Sequence, residues 1–299
     1  MLTWIGVCLS PFCYLLLCLS LAATLAYPLV MAFPGFADAH FLVSRGGEIL
    51  LVCGLIGVSY WLQLGRREIG LDLSRQGSLQ RLLQGFGWGS LMLGMHVLLL
   101  LTLDVRHIQY DKLEWARILK MTGKALLIGI SVATVEETIF RGVLLGALLR
   151  KMTVFPAVLL SAAYFAGLHF LSTDLRPEAS EVHWYTGFMM IGDALGQLST
   201  TKLDSFLALF NAGLLLACVR LLAPSSGLAY CIGLHAGWVF VIKTAKPFTK
   251  KTADSSLGHL VSGFDGIIGY LSAGWLSVLI FLLIVHLVRN NRLEAGLPK

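Results

Sequence analysis

Glu136, Glu137 and Arg141 stand inside an otherwise apolar stretch, KALLIGISVATVEETIFRGVLLGALLR. A helix turns about 100° per residue, so Glu137 and Arg141 fall about 40° apart and can form an i,i+4 ion pair. Glu136 falls about 140° from Arg141. The arginine therefore neutralises one carboxylate and leaves the other for a different task. A carboxylate without a partner charge, in apolar surroundings, is a candidate general base for water. Two histidines occupy neighbouring apolar stretches. His169 lies in TVFPAVLLSAAYFAGLHFL, with Phe165 one turn earlier, and His235 lies in SGLAYCIGLHAGWVFVIK, with Trp238 and Val239 one turn later. Small residues flank both (Ala162, Ala163, Ala166, Gly167, Gly233, Ala236, Gly237), and they let helices approach closely. One further carboxylate and two imidazoles suit water activation. Glu136 takes the proton, while His169 and His235 either ligate a divalent metal such as zinc or donate hydrogen bonds to the oxyanion of an attacked carbonyl. A Glu and two His supply the three ligands of a catalytic zinc site, but a zinc-bound Glu136 is not free to act as the base. The HExxH arrangement is absent. A metal-dependent and a metal-free reaction both stay open.

The elements that must position these residues follow from composition. Of 299 residues, 57% are hydrophobic and 13% charged, with a mean hydropathy of +0.77. A soluble domain carries roughly 25% charged residues, so an ordinary cytosolic enzyme, a disordered chain and a nucleic-acid-binding domain are excluded. The net charge of +6 fits basic residues at headgroups and in cytoplasmic loops. The chain reads as an integral membrane protein, all-α because lipid offers no partner to free backbone groups. A span needs about 20 mainly apolar residues. Eight stretches qualify: 5–32, 48–64, 84–103, 123–149, 153–171, 203–222, 226–243 and 266–288. The first reads as a retained span rather than a cleaved signal, because it lacks a basic n-region. The expectation is one transmembrane helical bundle over 1–299, without internal repeats or a linker. The two sides carry near-equal numbers of Lys and Arg, so charge sets no orientation. The segment 104–122 has helical periodicity and mixed charge and reads as interfacial. The six cysteines sit in apolar runs and read as small buried hydrophobes.

The motifs resemble those of the CPBP intramembrane proteases, the group containing the CAAX prenyl endopeptidases and bacteriocin-processing or self-immunity (Abi) proteins. Glu136-Glu137-Thr138-Ile139-Phe140-Arg141 fits EExxxR, Phe165 to His169 fits FxxxH, and His235 fits the start of HxxxN/D. The likeness covers about 120–242. It implies an eight-helix bundle and peptide-bond hydrolysis within the membrane. Glu136 would be the base, with His169 and His235 as metal ligands or oxyanion donors and Glu137 and Arg141 as supports. One position departs: the family has Asn or Asp four residues after the last histidine, and here it is Val239. Asn211, in the sixth span, either replaces that group or makes a helix–helix hydrogen bond.

The expected partners are membrane lipid and a membrane-anchored peptide or protein, prenylated or leader-bearing, with no nucleic acid, in a bacterial cytoplasmic membrane. Two other classes fit the same residues. One is a non-catalytic immunity or scaffold protein of the same fold, motivated by Val239. The other is a proton-coupled transporter, in which the carboxylates and histidines relay protons. His96 and His286 read as packing or interhelical hydrogen-bonding residues.

Overall fold

In the computed structural model the described residues are 4–33, 35, 37–71, 75–222 and 227–289. Helix makes up 78% of it, and the only strands among the described residues are three residues each, β1 (Arg106–Ile108) and β2 (Thr249–Lys251). The chain is a polytopic helical bundle. Six helices are long and apolar enough to cross a membrane: Trp4–Ala32, Ala39–Trp61, Gly77–Thr102, Trp115–Leu149, Leu203–Leu222 and Gly227–Ala245. Two shorter apolar helices, Val154–Leu168 and Tyr270–Val285, occupy the remaining two of the eight expected places. The side chain of His286 lies outside the described residues.

The contacts divide into two compact units. The first holds Met1–Leu64, Arg150–Met152 and Gly167–Thr201. Its helices are α1 (Trp4–Ala32) and α2 (Ala39–Trp61), with a third that composition did not reveal. Asp38 caps α2, its Oδ1 accepting from the Phe41 N–H at 2.6 Å, so this helix starts well before the apolar run at 48. Its early polar turn is tolerated because Arg45 and Glu48 pair at 2.6 Å. The unexpected helix, designated α8 here (Thr186–Gln197), lies in the polar stretch 172–202. It packs on α1 through Gly187, where a Cβ would fall 2.7 Å from Ala23. Met190 completes a core with Ala26 and Val43.

The second unit holds Gly65–Leu149, Thr153–Ala166 and Lys202–Lys299. Its elements are α3 (Arg66–Ile69), α4 (Arg75–Thr102), α5 (Trp115–Glu137), a π-helical segment (Thr138–Leu144), α6 (Leu145–Leu149), α7 (Val154–Leu168), α9 (Leu203–Leu222), α10 (Gly227–Ala245) and α11 (Tyr270–Arg289). The segment 104–122, expected as one interfacial stretch, holds β1, a short 3-10 turn and the first residues of α5. β1 and β2 pair antiparallel, Arg106 opposite Lys251 and Ile108 opposite Thr249. Buried Arg106 ties the strand pair down, donating to Thr249 Oγ1 and carbonyl and to the Gly266 carbonyl. Burial pulls its guanidinium below the usual range, and nearby Asp265 opposes that.

Helix α10 runs through the middle of this unit, and glycine places it there. A Cβ on Gly89 of α4 would strike the Leu234 carbonyl, and one on Gly233 would strike the Leu82 carbonyl. Gly85 and Gly237 make the same close approaches one turn away. Two GxxxG patterns, Gly85/Gly89 and Gly233/Gly237, thus interlock, and backbone meets backbone. On the other side Gly129 of α5 meets the Ala236 carbonyl, and Ala133 packs with Leu228, Ile232 and Ala236.

A buried Glu–Arg–His cluster

Glu136 and Glu137 are the last two residues of α5. The helix widens immediately after them into the π-helical segment Thr138–Leu144. The wider turn brings four successive residues, Phe140, Arg141, Gly142 and Val143, into buried positions. A narrower helix would carry one or more of them out of the core. π-helical turns are rare and recur at functional sites.

Glu137 and Arg141 are both fully buried. Arg141 Nη1 donates to Glu137 Oε1 at 3.0 Å, and Nη2 donates to the Gly213 carbonyl of α9 at 3.2 Å. Gly213 allows the close crossing of α7 on α9, since a Cβ there would meet Ala162 at about 3 Å. That crossing delivers Phe165. Its ring lies under the Arg141 guanidinium, 4.2 Å from it. It also meets Phe140 edge-on at 5.3 Å and His235 edge-on at 5.8 Å.

His235 is 6% exposed, and its Nδ1 lies 2.8 Å from Glu137 Oε1. Arg141 is permanently charged, so the Glu137 beside it is a carboxylate, and a carboxylate only accepts. Nδ1 is therefore the donor, and in the neutral ring Nε2 carries the lone pair. That Nε2 lies 3.9 Å from Glu136 Oε2. The Glu136 side chain is 27% exposed, against 0% for Glu137, although the Oε2 that faces His235 is itself buried. A water hydrogen-bonded to both atoms at about 2.8 Å each, with about 90° between the two bonds, enters once the side chains part enough to uncover Oε2.

The structure thus brings together Glu136, Glu137, Arg141, Phe165 and His235. Asn211 is committed elsewhere, its Nδ2 donating to the Ala273 carbonyl and Ser277 Oγ of α11, each at 2.9 Å. Val239 is half-buried on α10 and has no polar atom in its side chain. His169 lies half-buried in the turn after Leu168 and belongs to the first unit, while the cluster belongs to the second. A catalytic zinc uses three protein ligands. In the second unit Glu137 Oε1 is shared between Arg141 and His235, while Glu137 Oε2 is buried without a hydrogen-bond partner. Among the described residues no group of three or more His, Cys, Asp or Glu is placed to hold a metal ion.

Residues 118–241 match the family model described as Type II CAAX prenyl endopeptidase Rce1-like. The match covers 124 of the 299 residues. It begins in α5, ends in α10, and contains Glu136, Glu137, Arg141, Phe165, His169 and His235. Comparison with curated proteins and with solved structures gave no match. The Rce1-like family supports intramembrane endopeptidase activity in general, and the apolar helices make the chain an integral membrane protein.

Sequence reasoning missed three parts of the cluster. The bond between His235 and Glu137 joins residues 98 apart, and no local spacing signals it. The Gly213 carbonyl is a backbone group, which leaves no mark on residue type. The wide turn left one faint trace, a run of core positions too dense for one helical face.

Proposed function

We propose that the protein is a CAAX-type intramembrane endopeptidase using Glu136 as general base. Its substrate is a membrane-anchored peptide, prenylated next to the cut or bearing a leader. The observation that carries this reading is the 3.9 Å gap between Glu136 Oε2 and His235 Nε2. Water in that gap donates one hydrogen to each. Glu136 takes its proton as the water oxygen bonds to the peptide carbonyl carbon, and the carbonyl π electrons move onto oxygen. When the intermediate collapses, the C–N bond breaks and Glu136 returns the proton to the departing nitrogen, leaving a carboxylic acid and an amine.

His235 orients the water, and Glu137 with Arg141 holds the ring in the tautomer that can accept. Phe165 packs against both the ring and the guanidinium. His169 enters on its motif as a further metal ligand or oxyanion donor. Purified protein in proteoliposomes, given an internally quenched farnesyl-cysteine peptide, tests the reading. Wild type should cleave it, and Glu136→Gln should slow cleavage by about 10²-fold or more. Equal rates would sink the mechanism. Activity in metal-stripped enzyme without bound zinc would remove the metal version.

Val239 favours a second reading, a membrane partner that kept the bundle and lost turnover. It predicts that neither wild type nor Glu136→Gln cleaves, while both restore function to a deletion strain.

A further inference from the structure

Arg220 is a buried charge that the reaction does not use. It sits on the last turn of α9 and is 5% exposed. Its Nη2 donates to the carbonyls of Glu68 at 2.7 Å and Arg67 at 3.3 Å. Those carbonyls close the four-residue α3. That helix opens with the Gly65 N–H donating to Glu68 Oε2 at 2.7 Å, and it ends at Gly70 with φ +86°. L side chains rarely adopt that φ, and a Cβ on Gly70 would fall 2.6 Å from the Arg220 guanidinium. The guanidinium thus occupies the space that glycine leaves. Such a short helix cannot hold itself together in water or lipid, so its shape depends on this arginine.

What α3 touches gives the arrangement its meaning. Ile69 lies against Gly142, where a Cβ would fall 3.1 Å from Ile69 Cγ2 and 3.6 Å from Leu228 Cδ2. Gly142 lies within the wide turn that follows Glu136 and Glu137. The first residue of α10 also abuts Arg220, mainly its backbone: a Cβ on Gly227 would fall 2.6 Å from the Arg220 carbonyl oxygen and 3.1 Å from its Cδ. The guanidinium thus holds α3 against the turn that follows the carboxylates, while the Arg220 backbone lies against the start of the helix carrying His235.

We propose that Arg220 is a positioning residue, clamping α3 as a wedge against Gly142 so that the wide turn stays open. Closing that turn to ordinary α-helix would remove one residue from it. It would rotate Leu145–Leu149 by about 100° against the two glutamates. The catalytic side of this proposal rests on the endopeptidase reading; the wedge does not.

The test uses full-length protein in nanodiscs, compared as wild type, Arg220→Met and Arg220→Lys. Hydrogen exchange read by mass spectrometry should rise at least tenfold in 65–71 and 138–144 in Arg220→Met, with 39–61 unchanged. Arg220→Lys, which can still donate to both carbonyls, should return exchange to within about threefold of wild type. On the farnesyl-cysteine peptide, Arg220→Met should lower kcat at least tenfold with KM unchanged, and Arg220→Lys should recover most of it. Wild-type exchange in 138–144 of Arg220→Met overturns the wedge. Raised exchange with an unchanged kcat overturns its positioning role. If Arg220→Met fails to fold, Ile69→Ala removes the contact itself and must raise exchange in 138–144. If wild type cleaves nothing, the endopeptidase reading fails and exchange alone decides the wedge.

Discussion

His235 and His96 are both buried, 6% and 3% exposed, on the two helices locked together by interleaved glycines. Each gives one ring N–H to a fixed acceptor. His96 Nε2 donates to the Ile267 carbonyl at 3.0 Å. His235 Nδ1 donates to Glu137 at 2.8 Å. The difference lies in what the second nitrogen meets. His96 Nδ1 is buried without a hydrogen-bond partner among the described residues. His235 Nε2 faces a half-buried carboxylate across 3.9 Å. One histidine fastens a loop to a helix. The other is held by an ion pair so that its free nitrogen has work to do. Burial and residue type are the same in both, so the partners make the distinction.

The sharpest way to break this contrast is to remove the facing carboxylate. Glu136→Gln should cut cleavage by about 10²-fold to 10⁴-fold, whereas His96→Gln should leave the rate within twofold. A comparable loss in both would make the two histidines equivalent. Next in size is the ion pair behind His235. Arg141→Met leaves the Glu137 carboxylate buried with the imidazole alone and should cost about 3–5 kcal/mol of stability. The unfolding midpoint in detergent measures it. The double variant Glu137→Gln/Arg141→Met should regain part of that loss but not activity, because the amide no longer dictates the ring tautomer. Third is the seam that places α10. Gly89→Ala drives a methyl into the Leu234 carbonyl and should cost about 1–3 kcal/mol. Gly94→Ala, on the same helix but facing open space, should be neutral or better. Smallest are the neutral interhelical bonds. Asn211→Ala should lower stability by about 0.6–1.7 kcal/mol and leave the kcat for the peptide unchanged. A large kcat loss there would give Asn211 the part that Val239 cannot play.

Much of this was legible in residue types. The lack of charge dictated a membrane bundle, and its apolar stretches recur as six long and two shorter helices. The four-residue spacing of Glu137 and Arg141 was enough to predict their pairing, because a helix fixes that geometry locally. The polar stretch 172–202 concealed α8, since its helical face is satisfied by α1 and α2 rather than by a long apolar run. Likewise α5 begins at Trp115, eight residues before its apolar stretch, because the polar first turns extend the same helix.

The sequence by itself determined the helices, the membrane, and the set of side chains able to do acid–base chemistry. These depend on composition and on spacings of a few residues. The tertiary structure decided which carboxylate holds His235 and which faces it, where Asn211 spends its amide, and what stands behind the wide turn. Those choices join residues up to 153 apart in the chain. They are set by where glycines let helices touch, and no local period records that.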